Sequence, residues 1–419
     1  MSVKLRISDP IVISRGPRYK DVGWGTYQEP AIGVAEDGTV YASVKLTEDS
    51  GKFYGAKNGH AFFASKDGGE SWEDLPIEEW ERAAMKRALR LPNGERIRIN
   101  LMPLCSASPE ELPTPVKIFS PSSGRFSLFY RADEIPDTLM EKGWFVDRYC
   151  EQTGEIQRVL AEIEHPNLSL SGGMDEGRVT LRRPFPHGRM RLAPDGSVWQ
   201  THYERGLHPI TGAPSPFFNE FYYKSTDGGH SFALQSMIPY IPDISEAENV
   251  FDREGFDEGD IAFMPDGSMI TLLRTGYSLD MKCPLYIARS VDGGKSWSKP
   301  QIFDKLGVWP CLCSLACGVT LASYGRPGFF LRATDARDGQ SWDDPIMLIS
   351  TEVKPDVHEI PTCPGETRAV FEWRSTCSYS DMVALDARTA LLVYTDFYVP
   401  DENGENRKTL LCRKIAVEE

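Results

Sequence analysis

The stretch Ser65-Lys-Asp67-Gly-Gly-Glu-Ser71-Trp72 indicates the fold class of this 419-residue chain, because its pattern returns further along. Ser225-Thr-Asp227-Gly-Gly-His-Ser231-Phe232 and Ser290-Val-Asp292-Gly-Gly-Lys-Ser296-Trp297 share the pattern S-x-D-G-G-x-S-[WF], and Asp338-Gly-Gln-Ser341-Trp342 is a shortened fourth copy. In such a turn the Asp accepts hydrogen bonds from the backbone, the glycines permit positive φ, and the aromatic ring anchors the returning strand. The repeat therefore predicts a fold built from similar hairpin units.

A second, weaker turn recurs between apolar runs at six places. Its markers are Asp37, Ser123, Asp195, Asp266, Cys317 and Asp386. Six units in 419 residues give about 70 residues each, enough for one four-stranded blade with its loops. We predict one all-β domain over residues 1–419, a six-bladed β-propeller whose ring is closed by strands at 4–14 and 410–417.

Two insertions interrupt the repeat, near residues 75–115 and 133–175. Helix-forming residues with i, i+4 charge pairs predict a helix over 78–89, and a second helix is expected over 157–164. Loops on one face of a scaffold often carry binding sites, so the insertions either form part of a rim or are simple decoration.

Composition excludes several classes of partner. Lys plus Arg number 46 against 61 Asp plus Glu, and the net charge of −15 repels nucleic acid and anionic lipid. No apolar stretch approaches the roughly 18 residues that a membrane span needs, and the amino terminus has no signal-peptide core. We therefore expect a cytoplasmic protein that binds neither nucleic acid nor membranes.

Clusters of possible metal ligands are better explained as structure. Cys311, Cys313 and Cys317 lack the paired C-x2-C spacing of zinc sites and alternate with apolar residues of a strand. His202 and His208 likewise have no metal-ligand spacing and fit a polar network. No cofactor and no metal are expected.

The repeated S-x-D-G-G-x-S-W element is similar to the Asp-box, or BNR repeat, and the chain resembles the sialidase superfamily of six-bladed propellers over nearly its whole length. In that family these turns lie away from the central pocket. They imply the fold and leave the reaction to the residues of the site.

Three segments resemble the active-site strands of sialidases. Glu258 and Arg274 flank a P-D-G turn, Tyr324-Gly-Arg326 follows one blade later, and Cys377-Ser-Tyr379-Ser-Asp381 is similar to the segment that supplies the tyrosine nucleophile. The order Glu, Arg, Arg, Tyr is the family's own. The resemblance implies that Tyr379 is the nucleophile and Glu258 its base, and that Arg274 and Arg326 grip an acid group, with Asp381 nearby as a substrate-binding candidate.

The chemistry of these residues supports the same roles. Arginine forks bind carboxylates bidentately, which predicts an acidic substrate. A phenol is a poor nucleophile until a carboxylate accepts its proton, and a neutral nucleophile avoids repulsion from an acidic sugar. The pair Tyr379 and Glu258 therefore predicts a retaining mechanism.

Two departures from the family pattern concern the first strands. Gln28-Glu29-Pro30 replaces the R-I-P motif, and the segment 57–65 lacks the acid/base aspartate. His60 and Glu29 are the candidate proton donors instead. His187 and Arg189 are further substrate-binding candidates, since they precede the Pro194-Asp-Gly196 turn.

Three hypotheses follow. The leading one is a sialidase-like exo-glycoside hydrolase acting on an acidic sugar, either an ulosonic acid or a uronic-acid-containing glycan. The second is a propeller lyase or a non-sialidase glycosidase for rhamnosyl or uronyl glycans, using His60 or His187 with Tyr379. The third is a non-catalytic glycan-binding propeller.

Overall fold

The structure is a computed structural model that describes residues 3–48, 58–100, 105–119, 127–175, 177–182, 186, 188–251, 253–275, 283–354 and 379–418. Its strands, numbered along the chain, begin with β1 (Leu5–Ile7), β2 (Ile11–Arg18), β3 (Gln28–Val34), β4 (Val40–Lys45), β5 (His60–Ser65), β6 (Glu73–Asp74), β7 (Leu89–Arg90), β8 (Arg96–Asn100), β9 (Cys105–Ala107) and β10 (Lys117–Phe119). They continue with β11 (Ser127–Arg131), β12 (Trp144–Tyr149), β13 (Ile156–Glu164), β14 (Ser169–Asp175), β15 (Arg178–Arg182), β16 (Arg191–Leu192), β17 (Val198–Glu204), β18 (Asn219–Ser225), β19 (Ser231–Ile238) and β20 (Phe256–Phe263). The last are β21 (Met269–Thr275), β22 (Leu285–Ser290), β23 (Gln301–Asp304), β24 (Val308–Ser314), β25 (Thr320–Gly325), β26 (Phe329–Thr334), β27 (Ile346–Ile349), β28 (Ser380–Ala384), β29 (Thr389–Pro400) and β30 (Asn406–Val417).

Helical segments are few in the part of the chain that is described. The α-helix α1 spans Trp80–Arg87, and single 3₁₀ turns lie at Tyr19–Asp21, Ile77–Glu79, Pro109–Glu111, Ala132–Glu134 and Glu248–Phe251. None of the described helices is long and apolar enough to cross a membrane.

Most described strands form antiparallel sheets in chain order. β3–β6, β20–β23 and β24–β27 are four-stranded sheets, while β16–β19 and the group β7, β8, β12 and β13 join into one eight-stranded sheet by parallel pairing of β13 with β19. β9, β10, β11, β14 and β15 form a separate five-stranded sheet. The all-β prediction is confirmed, but sheets of four, five and eight strands do not translate directly into blades, so the six-blade count stays a prediction.

The two ends of the chain share one sheet, as the sequence predicts. β1 pairs with β30 in the register Leu5↔Val417, and β2 pairs with the same strand in the register Ile11↔Cys412. The amino-terminal strands β1 and β2 and the carboxyl-terminal strands β28, β29 and β30 thus belong to one sheet.

One of the two predicted helices is wrong. α1 confirms the helix expected over 78–89, whereas residues 157–164 lie in β13. Val159, Ala161 and Ile163 alternate along that strand and pack on one apolar cluster with Trp144. Pairing with β12 and β19 decides the conformation here, because it buries a period-two apolar face that helix propensity does not detect.

The three repeated turns have the same hydrogen bonds. In the first, Ser65 Oγ donates to Asp67 Oδ1 at 2.8 Å, and the backbone N–H groups of Gly69 and Ser71 donate to Ser65 Oγ (2.8 Å) and Asp67 Oδ1 (2.9 Å). The copies at 225–232 and 290–297 repeat all three bonds within 2.7–3.0 Å. Both glycines of each copy have positive φ, which confirms the predicted turn.

A second set of turns is identified by its backbone bonds: the first residue donates its N–H to the carbonyl of the fifth at 2.7–2.8 Å. These turns are Ala35–Thr39, Leu91–Glu95, Ala193–Ser197, Met264–Ser268, Leu315–Val319 and Leu385–Thr389. Five of the predicted markers lie in them. The marker Ser123 lies outside the described residues, and the turn after β7 is the Pro-Asn-Gly sequence of Leu91–Glu95.

Candidate active site

Several candidate site residues share one position, at the beginning of a strand and six residues before one of the turns of the second set. Glu29 in β3, Glu258 in β20 and Trp309 in β24 all have positive φ, between 48° and 53°, and each lies at a register shift in the pairing of its strand. Each of these residues, and also Tyr379, stands six residues before the first residue of a different turn of the second set. Non-glycine residues with positive φ are uncommon and are often found at functional sites.

Tyr379 and Glu258 meet, as the sequence predicts. The Tyr379 hydroxyl donates to Glu258 Oε1 at 3.4 Å, and each residue is 8% exposed. The bond is long for an O–H···O contact, as catalytic hydrogen bonds often are before substrate binds. Burial, followed by the negative charge of Glu258, raises the pKa of Tyr379, so its resting state is a neutral phenol.

The two predicted arginines flank this pair. Arg274 Nη1 forms an ion pair with Glu258 Oε2, and Arg274 Nε lies 3.4 Å from Asp257 Oδ1. Arg326 lies over two rings, with its Cζ 4.9 Å from the centre of Trp24 and 5.5 Å from that of Tyr379. The structure therefore brings Tyr379, Glu258, Arg274 and Arg326 into one cluster.

Trp309 completes the surroundings of the candidate nucleophile. Its ring centre lies 4.8 Å from that of Tyr379 at an interplanar angle of 73°, an edge-to-face contact. The Trp309 indole Nε1–H donates to the carbonyl of Ser380 at 3.0 Å. These contacts hold the Tyr379 ring in one orientation.

Asp381 and Arg189 have a different environment from the one predicted. Asp381 Oδ2 accepts the N–H of Ile32 at 2.9 Å, while its Oδ1 pairs with Arg189 Nε and accepts the N–H of Met382 at 2.8 Å. Arg189 Nη2 also donates to the Ser380 carbonyl at 2.5 Å. Because protein groups occupy both oxygens of Asp381, these contacts favour a role in joining strands over the predicted substrate contact.

The two candidate proton donors lie on β3 and β5. Lys45 Nζ binds Glu29 Oε1 at 2.8 Å, and His60 is paired opposite Lys45 in the β4–β5 register. The charge of Glu29 is close enough to contribute to the raised pKa of Tyr379, after burial and Glu258. Glu29 is therefore near the cluster.

His60 differs from a typical acid catalyst. Its side chain is exposed, yet surrounding protein and then the cations Arg87, Lys45 and Arg98 lower its pKa to about 4. The imidazole is neutral near pH 7, and it can accept a proton there but not donate one from a charged form.

A buried acidic group lies behind Glu258. Glu220 in β18 is 0% exposed, and burial followed by the charge of Asp257 raises its pKa well above the usual range. A Cβ atom on Gly259 would lie 2.7 Å from Glu220 Cδ, so only glycine fits between the two strands without a shift. The raised pKa favours the neutral form of Glu220, whereas Arg274 Nη1 pairs with Glu258.

Comparison with known proteins identifies the fold but no family. No family model and no curated protein sequence matches the chain. A protein of unknown function from Dyadobacter fermentans DSM 18053 matches with a TM-score of 0.60 and 16% identity over 99% of both chains. A NanB sialidase from Streptococcus pneumoniae matches with a TM-score of 0.49 and 12% identity over 98% of this chain and 71% of that one. An α-L-arabinanase from Penicillium chrysogenum matches with a TM-score of 0.46 and 13% identity, over 97% and 98%.

Sequence reasoning missed three residues of this region: Trp24, Trp309 and Arg87. Trp309 could have been found, because it precedes its turn by the same spacing as Glu29 and Glu258. Arg87 stands four residues before its turn and not six, and it ends a helix in place of a strand. The candidate His187 lies outside the described residues; it shares the spacing, six residues before the turn that begins at Ala193.

Proposed function

We propose that this protein is a retaining exo-glycoside hydrolase that acts on a sugar carrying an acid group, built on a six-bladed propeller. The observation that carries the proposal is the contact of the Tyr379 hydroxyl with Glu258 Oε1 at 3.4 Å, flanked by Arg274 and Arg326. The six turns with a common hydrogen-bond pattern support the blade count.

The reaction would take place in two displacements. The Tyr379 oxygen bonds to the anomeric carbon as its proton passes to Glu258, and the glycosidic oxygen leaves after protonation by a proton donor. Water then attacks the anomeric carbon and gives a proton to the deprotonated donor, while the sugar–tyrosine bond breaks and Glu258 returns the proton to the phenol; two inversions give net retention. A neutral phenol suits this role, because it approaches an acidic sugar without charge repulsion.

Glu29, rather than His60, is the proton donor in this proposal, and it takes up its proton once the substrate draws Lys45 Nζ away from Glu29 Oε1. Glu29 lies on the first strand of a neighbouring sheet and influences the pKa of Tyr379. His60, with a pKa of about 4, carries no proton to donate from an imidazolium near pH 7. Arg274 holds the carboxylate of Glu258 in place.

The test is a screen of 4-nitrophenyl and 4-methylumbelliferyl glycosides of N-acetylneuraminic acid, glucuronic acid and neutral sugars. We expect release from an acidic glycoside, and a loss of at least about a hundredfold in Tyr379→Phe, the lower range for one catalytic side chain. Tyr130→Phe is the matched control, since Tyr130 is also buried but lies in β11, in the sheet formed by β9, β10, β11, β14 and β15. NMR of the first product should show the retained anomer.

A second candidate, a uronate lyase, is favoured by one observation: a neutral, exposed His60 surrounded by cations. Such a base could remove the proton next to a carboxylate, and the leaving group at the neighbouring carbon would depart to give a C=C bond conjugated to the acid. Ultraviolet absorbance would then rise, and His60→Ala would abolish that rise. Binding of glycans without any turnover, unchanged in Tyr379→Phe, would contradict both reactions and favour a glycan-binding propeller.

A further inference from the structure

Three cations lie near His60, and the proposed reaction assigns a catalytic role to none of them. Lys45, Arg87 and Arg98 all lie close enough to His60 to lower its pKa. Two of them are neutralised by the protein. Lys45 pairs with Glu29 at 2.8 Å, and Arg98 donates twice to Asp147 Oδ2 at 3.0 and 3.2 Å.

Arg87 differs from its neighbours because its guanidinium forms no ion pair or hydrogen bond with the described residues. Its Nε is buried without a hydrogen-bond partner, and the nearest aromatic contact is the Phe62 ring, 6.0 Å from Cζ. Burial lowers the pKa of Arg87, Asp381 raises it, and the charges of Arg98 and Arg189 lower it, with a net result of about 10. The guanidinium therefore stays charged near pH 7. A cation in such a place is costly unless an anion accompanies it.

The position of Arg87 is fixed by close packing. It is the last residue of α1, and a Cβ atom on Gly33 would lie 2.4 Å from the Arg87 carbonyl oxygen and 2.9 Å from its Cγ. Arg87 also precedes the Leu91–Glu95 turn by four residues, as Arg189 and Asp381 precede theirs. Arg87 at the end of α1 therefore corresponds in position to Arg189 and Asp381, which lie next to the candidate site.

The predicted clamp residues are less available. Arg274 is already paired with Glu258 and lies 3.4 Å from Asp257, and Arg326 packs over Trp24 and Tyr379. Moving Arg274 to a substrate would leave the buried Glu258 charge without its cation, which is unfavourable.

We propose that Arg87 binds the acid group of the substrate, in place of the arginine that Gln28-Glu29-Pro30 lacks. This inference rests on the proposed function only in taking the ligand to be an acidic sugar. A planar guanidinium whose N–H groups donate to none of the described residues would bind the carboxylate through two parallel hydrogen bonds.

The test is calorimetric titration with methyl glycosides of N-acetylneuraminic acid and glucuronic acid, each compared with its methyl ester. The ester keeps the sugar and removes the charge. We expect the wild type and Tyr379→Phe to bind one free acid at least 10-fold more tightly than its ester, a difference of about 1.4 kcal/mol. Arg87→Gln should abolish that preference, and Arg87→Lys should restore part of it.

Arg90→Gln is the matched control, because Arg90 lies three residues along and pairs with Glu36 at 2.7 Å on the surface. It should keep the preference. Melting curves check folding, and Arg87→Gln should melt no lower than the wild type, because it removes a charge that forms no ion pair within the described part of the chain.

The outcomes separate the two proposals. An acid preference that Arg87→Gln removes supports the Arg87 site even if no glycoside is hydrolysed. Hydrolysis that depends on Tyr379, with an acid preference unchanged in Arg87→Gln, overturns the Arg87 site alone. Equal binding of acid and ester by the wild type also overturns it, as does a preference that only Arg274→Gln or Arg326→Gln removes.

Discussion

Replacing Asp260 by Asn should destabilise the fold more than any comparable change at the surface. Asp260 lies in β20 and is 1% exposed. Its carboxylate accepts Arg191 Nε (3.0 Å) and Nη2 (2.5 Å) as well as the backbone N–H groups of Ile261 (2.9 Å) and Leu312 (2.8 Å). One side chain thereby connects β16, β20 and β24, and Arg189 Nη1 approaches it at 3.6 Å.

The magnitude follows from what Asn leaves behind. The amide is neutral and turns one acceptor into a donor, so Arg191 keeps a buried charge without its partner and one N–H group faces another. Breaking a buried ion pair in this way costs about 3–5 kcal/mol. With an unfolding entropy of about 2.1 cal/mol/K per residue over the chain, the expected loss in Tm is roughly 3–6 °C if the domain unfolds as one unit.

Scanning calorimetry on the wild type, Asp260→Asn and Asp21→Asn measures this effect. Asp21 is the control, since it pairs with Arg18 at 2.6 Å and both side chains are more than a third exposed. Exposed pairs contribute about 0–1 kcal/mol, so its Tm should fall by no more than about 1 °C. An Asp260→Asn protein that melts like the control, or above the wild type, would refute the assigned role of Asp260.

Two further changes test the site's surroundings and the repeated turn. The pKa of Glu220 is raised in the folded state by burial and then Asp257, so its stabilising contribution is present below the unfolded pKa near 4.3 and is lost as pH rises through the folded value. As pH rises from 4 to 8, the free energy of unfolding of Glu220→Gln should therefore increase relative to the wild type by about 1.4 kcal/mol per unit of pKa difference, and its Tm should increase with it. A Tm difference between the two proteins that does not change with pH would contradict this. Asp227→Ala removes the acceptor of four hydrogen bonds, which come from the hydroxyls of Ser225 and Ser231 and from the N–H groups of His230 and Ser231. At about 0.5–1 kcal/mol per bond it should cost about 2–4 kcal/mol in urea unfolding, and an unchanged midpoint would contradict it.

Much of the fold could be predicted from the sequence because its information is local. The three S-x-D-G-G turns, five of the six weaker turns and α1 depend on residues only a few positions apart. β13 could not be predicted in the same way. Its charged residues alternate with Val159, Ala161 and Ile163, and one of the two partners that select a strand, β19, is distant in the chain.

The same distinction applies to the candidate site. Tyr379, Glu258, Arg274 and Arg326 were predicted from family resemblance, and the structure brings them together. Arg87 was not, because its importance depends on its having no ion-pair partner among the residues that the structure describes. Whether a guanidinium has an acid beside it is a property of the folded chain.

In several sheets, candidate reactive residues and residues that bind the next sheet lie two positions apart in the chain. Six residues before four of the six turns stand Glu29, Glu258, Trp309 and Tyr379, and two residues later stand Ala31, Asp260, Cys311 and Asp381. The first set carries side chains suited to chemistry and strained backbone at three of its members, whereas Asp260 and Asp381 in the second set bind backbone N–H groups of the next sheet. Because the two sets share few contacts, their substitutions should affect different properties: Tyr379→Phe should abolish turnover with little change in Tm, and Asp260→Asn should lower Tm. A strand that held its sheet to the next one through its reactive residue could not change its chemistry without losing the fold.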